Sequence, residues 1–96
     1  MKAYVIVNVD VKDPTRYADY VKAATPTVAA HGGRYIARGG RAERLEGSIP
    51  VNRIVLLEFP SYDHAKGWYD SPEYQAAALI RQGCSSGDLI LVEGAP

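Results

Sequence analysis

The sequence has little cysteine, no excess of either charge and no long apolar run. Cys84 is the only cysteine, which excludes an internal disulfide and a zinc site built from cysteines. The formal net charge is zero, from 11 basic and 11 acidic residues mixed along the chain, and this balance disfavours nucleic acid as a partner. No apolar stretch approaches the roughly 20 residues of a membrane span, and the N-terminus is typical of a strand rather than a signal peptide. We therefore expect a cytoplasmic protein without a membrane partner.

Familiar catalytic signatures are missing as well. The two histidines, His31 and His64, have no positional link, so we predict neither a metal nor a cofactor. The glycine pairs at 32–33 and 39–40 lack the spacing of phosphate-binding and dinucleotide-binding loops, and no serine lies in a Gly-x-Ser-x-Gly motif. Cys84 has no partnered base in the sequence and is interpreted as inert. Seven tyrosines against one phenylalanine favour surfaces that are half buried and half wet, as in pockets and subunit contacts.

Hydrophobic periodicity and capping residues predict a strand, a helix, two strands, a pair of helices and a last strand. The predicted segments are strand Ala3–Val11, a helix from Asp13-Pro14 to Gly32, strand 33–38, strand Arg53–Phe59, a helix opened by Ser61, a helix from Ser71 to about Gln82, and strand Asp88–Glu93. Pro26 predicts a kink near Thr25. The glycine pair at 39–40 predicts a bulge or a bend, and past a bulge 41–46 can continue the second strand. This order predicts one α+β domain over residues 1–96, a ferredoxin-like sandwich with a four-stranded antiparallel sheet and helices on one face.

In that topology, one face of the sheet has no helix to cover it, and we call it the bare face. Strand alternation assigns it Tyr4, Ile6, Ile36, Ile54, Leu56 and either Leu89 with Leu91 or Ile90 with Val92. So much apolar surface is unusual for a monomer, and a second copy packing sheet against sheet would bury it. The sequence therefore predicts a homodimer through the bare face.

Charged residues of the same alternation predict a first candidate site at the ends of the bare face. Asn8, Asp10 and Arg38 fall toward one end, whereas Tyr4, Arg34, Glu58 and Glu93 fall toward the other, with His31 on a nearby loop. One interpretation is that these charges form ion pairs around an apolar dimer core. The other is that Arg38 or Arg34 binds a carboxylate or enolate, because guanidinium groups suit planar oxyanions. In that case Asp10, Glu58 or His31 is the candidate acid–base group.

A second candidate pocket lies between the sheet and the helices. Its predicted lining is aromatic with one cation: Tyr17, Tyr20, Trp68, Tyr69, Tyr74 and Arg81. Aromatic residues at helical spacing are more often plain core than a ligand site, so both interpretations stay open.

Several short motifs, taken together, resemble one bacterial family over nearly the whole chain. They are Asp13-Pro14, Tyr17, Tyr20, Gly32-Gly33-Arg34-Tyr35, Arg38-Gly39-Gly40, Glu46-Gly47, Glu58-Phe59-Pro60 and the run from Trp68 to Tyr74. The chain resembles the family called domain of unknown function 1330. This resemblance implies a dimeric α+β barrel, from a superfamily that includes cofactor-independent monooxygenases, muconolactone isomerases, haem proteins and amino-acid-sensing domains. It implies no activity, because fold alone does not choose a function.

Two hypotheses follow from the sequence. In the first, a homodimer binds a small organic anion and acts as a cofactor-independent isomerase or oxygenase, with Arg38 and Arg34 orienting an oxyanion and Asp10 or Glu58 accepting a proton. In the second, the protein is a non-enzymatic binding or scaffold module whose charges set the register of the dimer. A haem or metal protein would instead need a histidine facing a cavity.

Overall fold

The helices and strands follow the predicted order. The computed structural model describes residues 1–96. The elements are β1 (Ala3–Val11), α1 (Pro14–Ala30), β2 (Arg34–Arg38), β3 (Arg53–Phe59), α2 (Tyr62–Asp70), α3 (Pro72–Cys84) and β4 (Ser85–Glu93). The four strands form one sheet in the order β2-β3-β1-β4, with antiparallel pairing between all neighbours. The predicted ferredoxin-like α+β fold is confirmed. None of its helices is both long and apolar enough to cross a membrane.

The helices begin where the capping residues indicated. The Asp13 carboxylate accepts hydrogen bonds from the backbone N–H groups of Thr15 and Arg16, and Pro14 takes the first helical position. Ser61 and Ser71 cap α2 and α3 in the same way. These contacts are local in sequence, which explains why they could be predicted.

Two boundaries differ from the prediction. Gly83 does not end α3, which continues to Cys84, and β4 begins at Ser85 rather than Asp88 because it pairs with β1 from Val11 onward. The Cys84 carbonyl accepts from two backbone N–H groups after β1, at 2.9 and 3.1 Å, and this holds the helix end against the sheet. Residues 41–46 form no strand. Gly39 has a φ of 70°, which turns the chain away from the sheet at the end of β2.

The bulge in β2 lies at Ile36 and not at the glycine pair. Arg34 is opposite Glu58 and Tyr35 is opposite Leu57, but Ala37 is opposite Leu56, so Ile36 has no partner on β3. One extra residue reverses the alternation beyond it. Arg38 is therefore opposite Val55, a buried residue on the side of the helices. The prediction that Arg38 shares the bare face with Arg34 is wrong.

The core fills the space between the helices and the other sheet face, which we call the helix face. Its strand residues are Ala3, Val5, Val7, Val9, Val55, Leu57 and Phe59, all buried. The Trp68 indole is buried, and its ring centroid lies 4.1 Å from that of Tyr74, with the ring planes tilted by 40°. Its N–H donates to the Thr27 hydroxyl at 3.0 Å. One hydrogen bond thus fixes the orientation of the largest core side chain relative to α1.

The bare face carries Ile90 and Val92, which settles the alternative left open by the sequence. Both lie opposite bare-face residues of β1, since Ile90 pairs with Ile6 and Val92 pairs with Tyr4. Ile90 is 57% exposed, and Ile6, Ile36 and Val92 are exposed as well. The structure therefore contains an apolar sheet face that no helix covers.

Gly33 is expected to be essential for core packing. A Cβ at this position would lie 2.5 Å from Cε1 of the buried Phe59 ring, whereas a Cβ at Gly40 would meet nothing within 4 Å. We expect Gly33→Ala to lower the free energy of unfolding by about 1–3 kcal/mol through overpacking. Urea denaturation measures this, with Gly40→Ala as the matched control at about zero. Equal stability of the two variants would contradict the packing assignment.

Candidate anion-binding site

A narrow pocket lies between the sheet and the helices, at the edge where β2 ends and β3 begins. Its lining is apolar and aromatic except for two arginines: Val7, Tyr17, Tyr20, Val21, Tyr35, Arg38, Arg53, Val55, Leu57 and Trp68. The cavity measures about 20 Å³, which is room for one water molecule. An organic ligand therefore enters only if a lining side chain moves.

Arg38 is the lining residue that can move, because it is exposed and held by side-chain contacts alone. The bulge at Ile36 sends it toward α1, where Nη2 donates to the Thr25 hydroxyl at 2.8 Å. Its guanidinium carbon lies 3.9 Å from the centroid of the Tyr35 ring, a cation–π contact. Arg38 thus bridges β2 and α1 at the open edge of the pocket.

Arg53 reaches the same pocket from β3. It lies opposite the buried Val9, so its side chain is on the helix face, with the guanidinium carbon 5.6 Å from the Tyr17 ring centroid. The guanidinium occupies the space next to Gly39, where a Cβ would overlap with Nη1. Glycine at position 39 therefore allows both the turn out of β2 and the placement of Arg53.

Arg81 lies behind the tyrosines, on α3, and is only 6% exposed. Its Nε and the Nε of Arg53 are buried without an acceptor. The ion pairs of the protein involve other residues: Lys2–Glu58, Arg34–Glu58, Lys12–Asp10 and Lys66–Asp70. Arg53 and Arg81 thus lie near Tyr17, and neither has a carboxylate within salt-bridge distance. A charge buried without a counterion is costly, which makes this the most unusual electrostatic feature of the chain.

Tyr17 and Tyr20, two tyrosines of the pocket, stay protonated at neutral pH. Burial is the main cause that raises the pKa of Tyr20 and of Tyr17, and for Tyr17 the neighbouring Arg53 offsets part of this effect. The hydroxyls of Tyr20 and Tyr74 form a buried hydrogen bond of 2.9 Å. The protonated hydroxyls of Tyr17 and Tyr20 can donate hydrogen bonds to an anion.

The structure separates the residues of the first predicted site. Arg34 stays on the bare-face side and donates from Nε to Glu58 at 2.9 Å. Asp10 forms an ion pair with Lys12 instead of facing Arg38. Asn8 binds the connection between β2 and β3, donating to the Pro50 carbonyl at 2.8 Å and accepting from the Asn52 N–H at 3.1 Å. The expected grouping of Asn8, Asp10 and Arg38 is wrong because the bulge moves Arg38 to the opposite face.

The other acid–base candidates have structural partners. Hydrogen bonds from Arg34 and Lys2 hold the pKa of Glu58 below its usual range, so this carboxylate is an ion-pair partner and not a proton acceptor. His31 Nδ1 lies 3.1 Å from the Thr27 carbonyl, in a separate groove beside Glu73 rather than near Arg34. No cluster of three or more histidine, cysteine or acidic side chains is arranged to hold a metal ion.

The residues predicted for the second pocket lie closer together in the structure than those predicted for the first site. Tyr17, Tyr20 and Trp68 line the cavity, and Tyr74 and Arg81 lie directly behind them. Tyr69 packs against Trp68 but lines a different cleft, between α2 and β4. Sequence reasoning missed Arg53, although its alternation with Val55 and Leu57 was the signal that put it on the helix face.

Solved structures with the same fold extend over the whole chain. A protein of unknown function from Rhodopseudomonas palustris (RPA0582) has a TM-score of 0.79 at 19% identity, covering 99% of this chain and 83% of its own. SnoaB, a cofactor-independent oxygenase from Streptomyces nogalater, has a TM-score of 0.67 at 11% identity, and the match covers 99% of this chain and 94% of SnoaB. A protein from Thermobifida fusca has a TM-score of 0.66 at 20% identity, and the match covers 100% of this chain and 92% of that protein. It is described as dimeric, ferredoxin-like and of unknown function. At these identities the likeness concerns the fold alone.

Sequence similarity, rather than the fold, identifies the family of this chain. Four antiparallel strands with helices on one face define a ferredoxin-like α+β protein. Within this class, the chain belongs to the family described as domain of unknown function DUF1330, whose profile matches residues 2–95. The resemblance found in the sequence motifs is thereby confirmed. Among curated proteins, no sequence gives a significant match.

The buried tyrosines make a prediction for alkaline pH. Above pH 10 the unfolded chain loses its phenol protons, whereas Tyr17 and Tyr20 keep theirs in the folded state because their pKa is raised above the ordinary value of 10.0. Folding then retains protons, so stability falls as the pH rises, by up to about 1.4 kcal/mol per pH unit for each retained proton. Urea denaturation between pH 9 and 11 measures this slope. A Tyr20→Phe variant should show a shallower decline, and an unchanged decline would contradict the assignment.

Proposed function

We propose that the protein binds a small organic anion in the pocket lined by Arg38 and Arg53, with Arg81 behind the pocket tyrosines. The observation that carries this proposal is the pair of buried Nε groups on Arg53 and Arg81, which have no acceptor and no carboxylate nearby. A carboxylate or a phenolate supplies both the missing charge and the missing acceptors. Guanidinium groups bind such planar oxyanions with two parallel hydrogen bonds.

The walls of the pocket indicate what is attached to the anionic group. Tyr17, Tyr20 and Trp68 present rings, and valine and leucine side chains fill the sheet side. Such walls favour a flat, apolar or aromatic body over a sugar or a polyphosphate. Displacement of Arg38 from Tyr35 and Thr25 opens the edge of the pocket, and the freed guanidinium can then bind the incoming anion.

A catalytic form of this proposal is stabilisation of an enolate or phenolate by the three arginines. SnoaB, which has this fold, is described as a cofactor-independent oxygenase. No carboxylate or histidine lines the pocket. The proposal therefore favours a substrate that is acidic enough to enter as an anion, and it assigns no catalytic base to Asp10, Glu58 or His31.

A different set of residues favours the rival function. In that function the protein is a non-enzymatic scaffold whose charges only set the dimer register. Glu58 accepts from both Lys2 and Arg34 at one end of the bare face, so these charges are fully used in structure. They leave Arg53 and Arg81 unexplained. The anion-binding proposal accounts for those two residues and the scaffold does not.

We also propose that the functional unit is a homodimer formed through the bare face, the arrangement of a dimeric α+β barrel. Ile6, Ile36, Ile90 and Val92 are exposed on this face, and ordinary monomers do not leave such contiguous patches in water. Covering a few hundred Å² per subunit is worth several kcal/mol at roughly 25 cal/mol per Å². Two similar structures, from Thermobifida fusca and Bacteroides fragilis, are described as dimeric.

Removal of Arg81 should separate binding from stability. In Arg81→Met the unfolding free energy is expected to stay within about 1 kcal/mol of the wild type or to rise, because an unpaired buried charge is removed. Benzoate or salicylate at ten times its dissociation constant should stabilise the wild type by about 1.4 kcal/mol, a rise in Tm of roughly 5–10 °C for a chain of this length. That rise should disappear in Arg81→Met.

The controls are an exposed arginine and the arginine at the open edge. Arg16→Met, on the surface of α1, should keep the full rise in Tm. Arg38→Ala should abolish the rise while the dimer stays intact. If neither benzoate nor salicylate stabilises the wild type, or if both stabilise Arg81→Met and Arg38→Ala fully, this pocket is not an anion site.

The dimer is tested by a charge placed on the bare face. Size-exclusion chromatography with light scattering should give twice the 10.4 kDa chain mass at micromolar concentration. Ile90→Asp should give the single-chain mass, since it buries a carboxylate in an apolar interface. Leu79→Asp is the matched control, because Leu79 is 70% exposed on α3 and lies outside the sheet. A wild-type protein with the mass of one chain would reject the dimer.

A further inference from the structure

We infer that the connection between β2 and β3, residues 39–52, docks on the second copy of this chain and thereby fixes the positions of the two arginines at its ends. We call this connection the arm. The inference rests on the homodimer proposed above, and it adds an interaction surface and a link between that surface and the anion site.

The arm exposes apolar side chains that its own chain does not cover. It contains 14 residues without helix or strand, and the side chains from 39 to 50 are all exposed. Leu45 is 86% exposed, the highest value for any large hydrophobic residue of the chain, and Ile49 is 68% exposed. Long irregular connections of this kind are usually functional when they are not disordered linkers. A leucine and an isoleucine on such a connection indicate a contact with another surface.

The base of the arm lies on the bare face. Asn8, a bare-face residue of β1, binds the arm at the Pro50 carbonyl and at the Asn52 N–H. A cleft of about 310 Å³ lies between the arm and the sheet, lined by Ile6, Asn8, Ile49, Pro50, Val51, Ile54, Asp88 and Ile90. The apolar surface of the arm is thus continuous with the apolar surface of the bare face. A second copy that covers one of them meets the other.

The charges of the arm favour a second copy over other partners. Arg41 and Arg44 alternate with Glu43 and Glu46, so the arm has no net charge. In a two-fold dimer the same surface meets itself, and a segment with both signs is self-complementary. An anionic membrane or a nucleic acid would instead favour an excess of basic residues.

Docking of the arm affects the anion site because the arm connects two arginines of that site. Arg38 precedes the arm and Arg53 follows it. At the first end, the Gly39 N–H donates to the Ile54 carbonyl at 2.8 Å, and the Arg53 guanidinium occupies the space above Gly39. A partner that holds the arm therefore restricts the ends of β2 and β3 and the arginine side chains that extend from them.

Photo-crosslinking tests the docking directly. A benzophenone amino acid is placed at position 45 in the full chain, and a second protein carries it at position 79, where the leucine is also highly exposed but lies on α3. After irradiation at micromolar concentration, the protein labelled at 45 should give a covalent band of two chains, and the protein labelled at 79 should not. Mass spectrometry should locate the crosslinked peptide on the second copy.

The link to the anion site is tested by Leu45→Asp with Leu79→Asp as its control. Leu45→Asp should weaken self-association at least tenfold in sedimentation equilibrium and should raise the benzoate dissociation constant severalfold, whereas Leu79→Asp should change neither. The inference is overturned if position 45 crosslinks only within its own chain or not at all while the wild type is a dimer, or if Leu45→Asp leaves both constants unchanged. A monomeric wild type that still binds benzoate would remove the arm contact and the dimer but leave the anion site.

Discussion

The pairing between β2 and β3 determines where the charges of this protein lie. Side chains of a strand alternate between the two faces of a sheet, so one extra residue sends every later side chain to the opposite face. Ile36 is that residue, and beyond it Arg38 lies opposite Val55 on the helix face. Without the bulge, Arg38 would join Arg34 on the bare face, and the pocket would lose the cation at its open edge.

As a result, the charged side chains on the two faces of the sheet differ in their partners. On the bare face Glu58 is paired, since its carboxylate binds Arg34 and Lys2. On the helix face Arg53 and Arg81 lack a carboxylate although each has a buried Nε. A small core gains stability most easily from apolar side chains, and methionine or leucine would fill the position of Arg81 at lower cost. The anion proposed above would supply the acceptors that the buried Nε groups of Arg53 and Arg81 lack.

The features that could be predicted from the sequence depend on residues close together in the chain. The alternation of β1 and the caps at Asp13, Ser61 and Ser71 involve residues close together in the chain, and they were predicted correctly. The bulge depends on which β3 residue lies opposite each β2 residue, and no pattern within β2 contains that information. The glycine pair at 39–40 left a bulge and a bend as alternatives, because a glycine that turns a strand away and a glycine that forms a bulge give the same signal. The structure has the bend there and the bulge at Ile36.

The alternation of β3 connects the two faces mechanically. Asn52 is held from the bare face by Asn8, and the next residue, Arg53, points into the pocket on the other side. The hydrogen bond to Asn8 is thus one residue away from the backbone that positions Arg53. Similar structures keep the topology at 11–20% identity, so the fold does not select the ligand. We propose that ligand selection depends on side chains at the ends of β2 and β3, which in the proposed dimer also flank the arm that contacts the second copy.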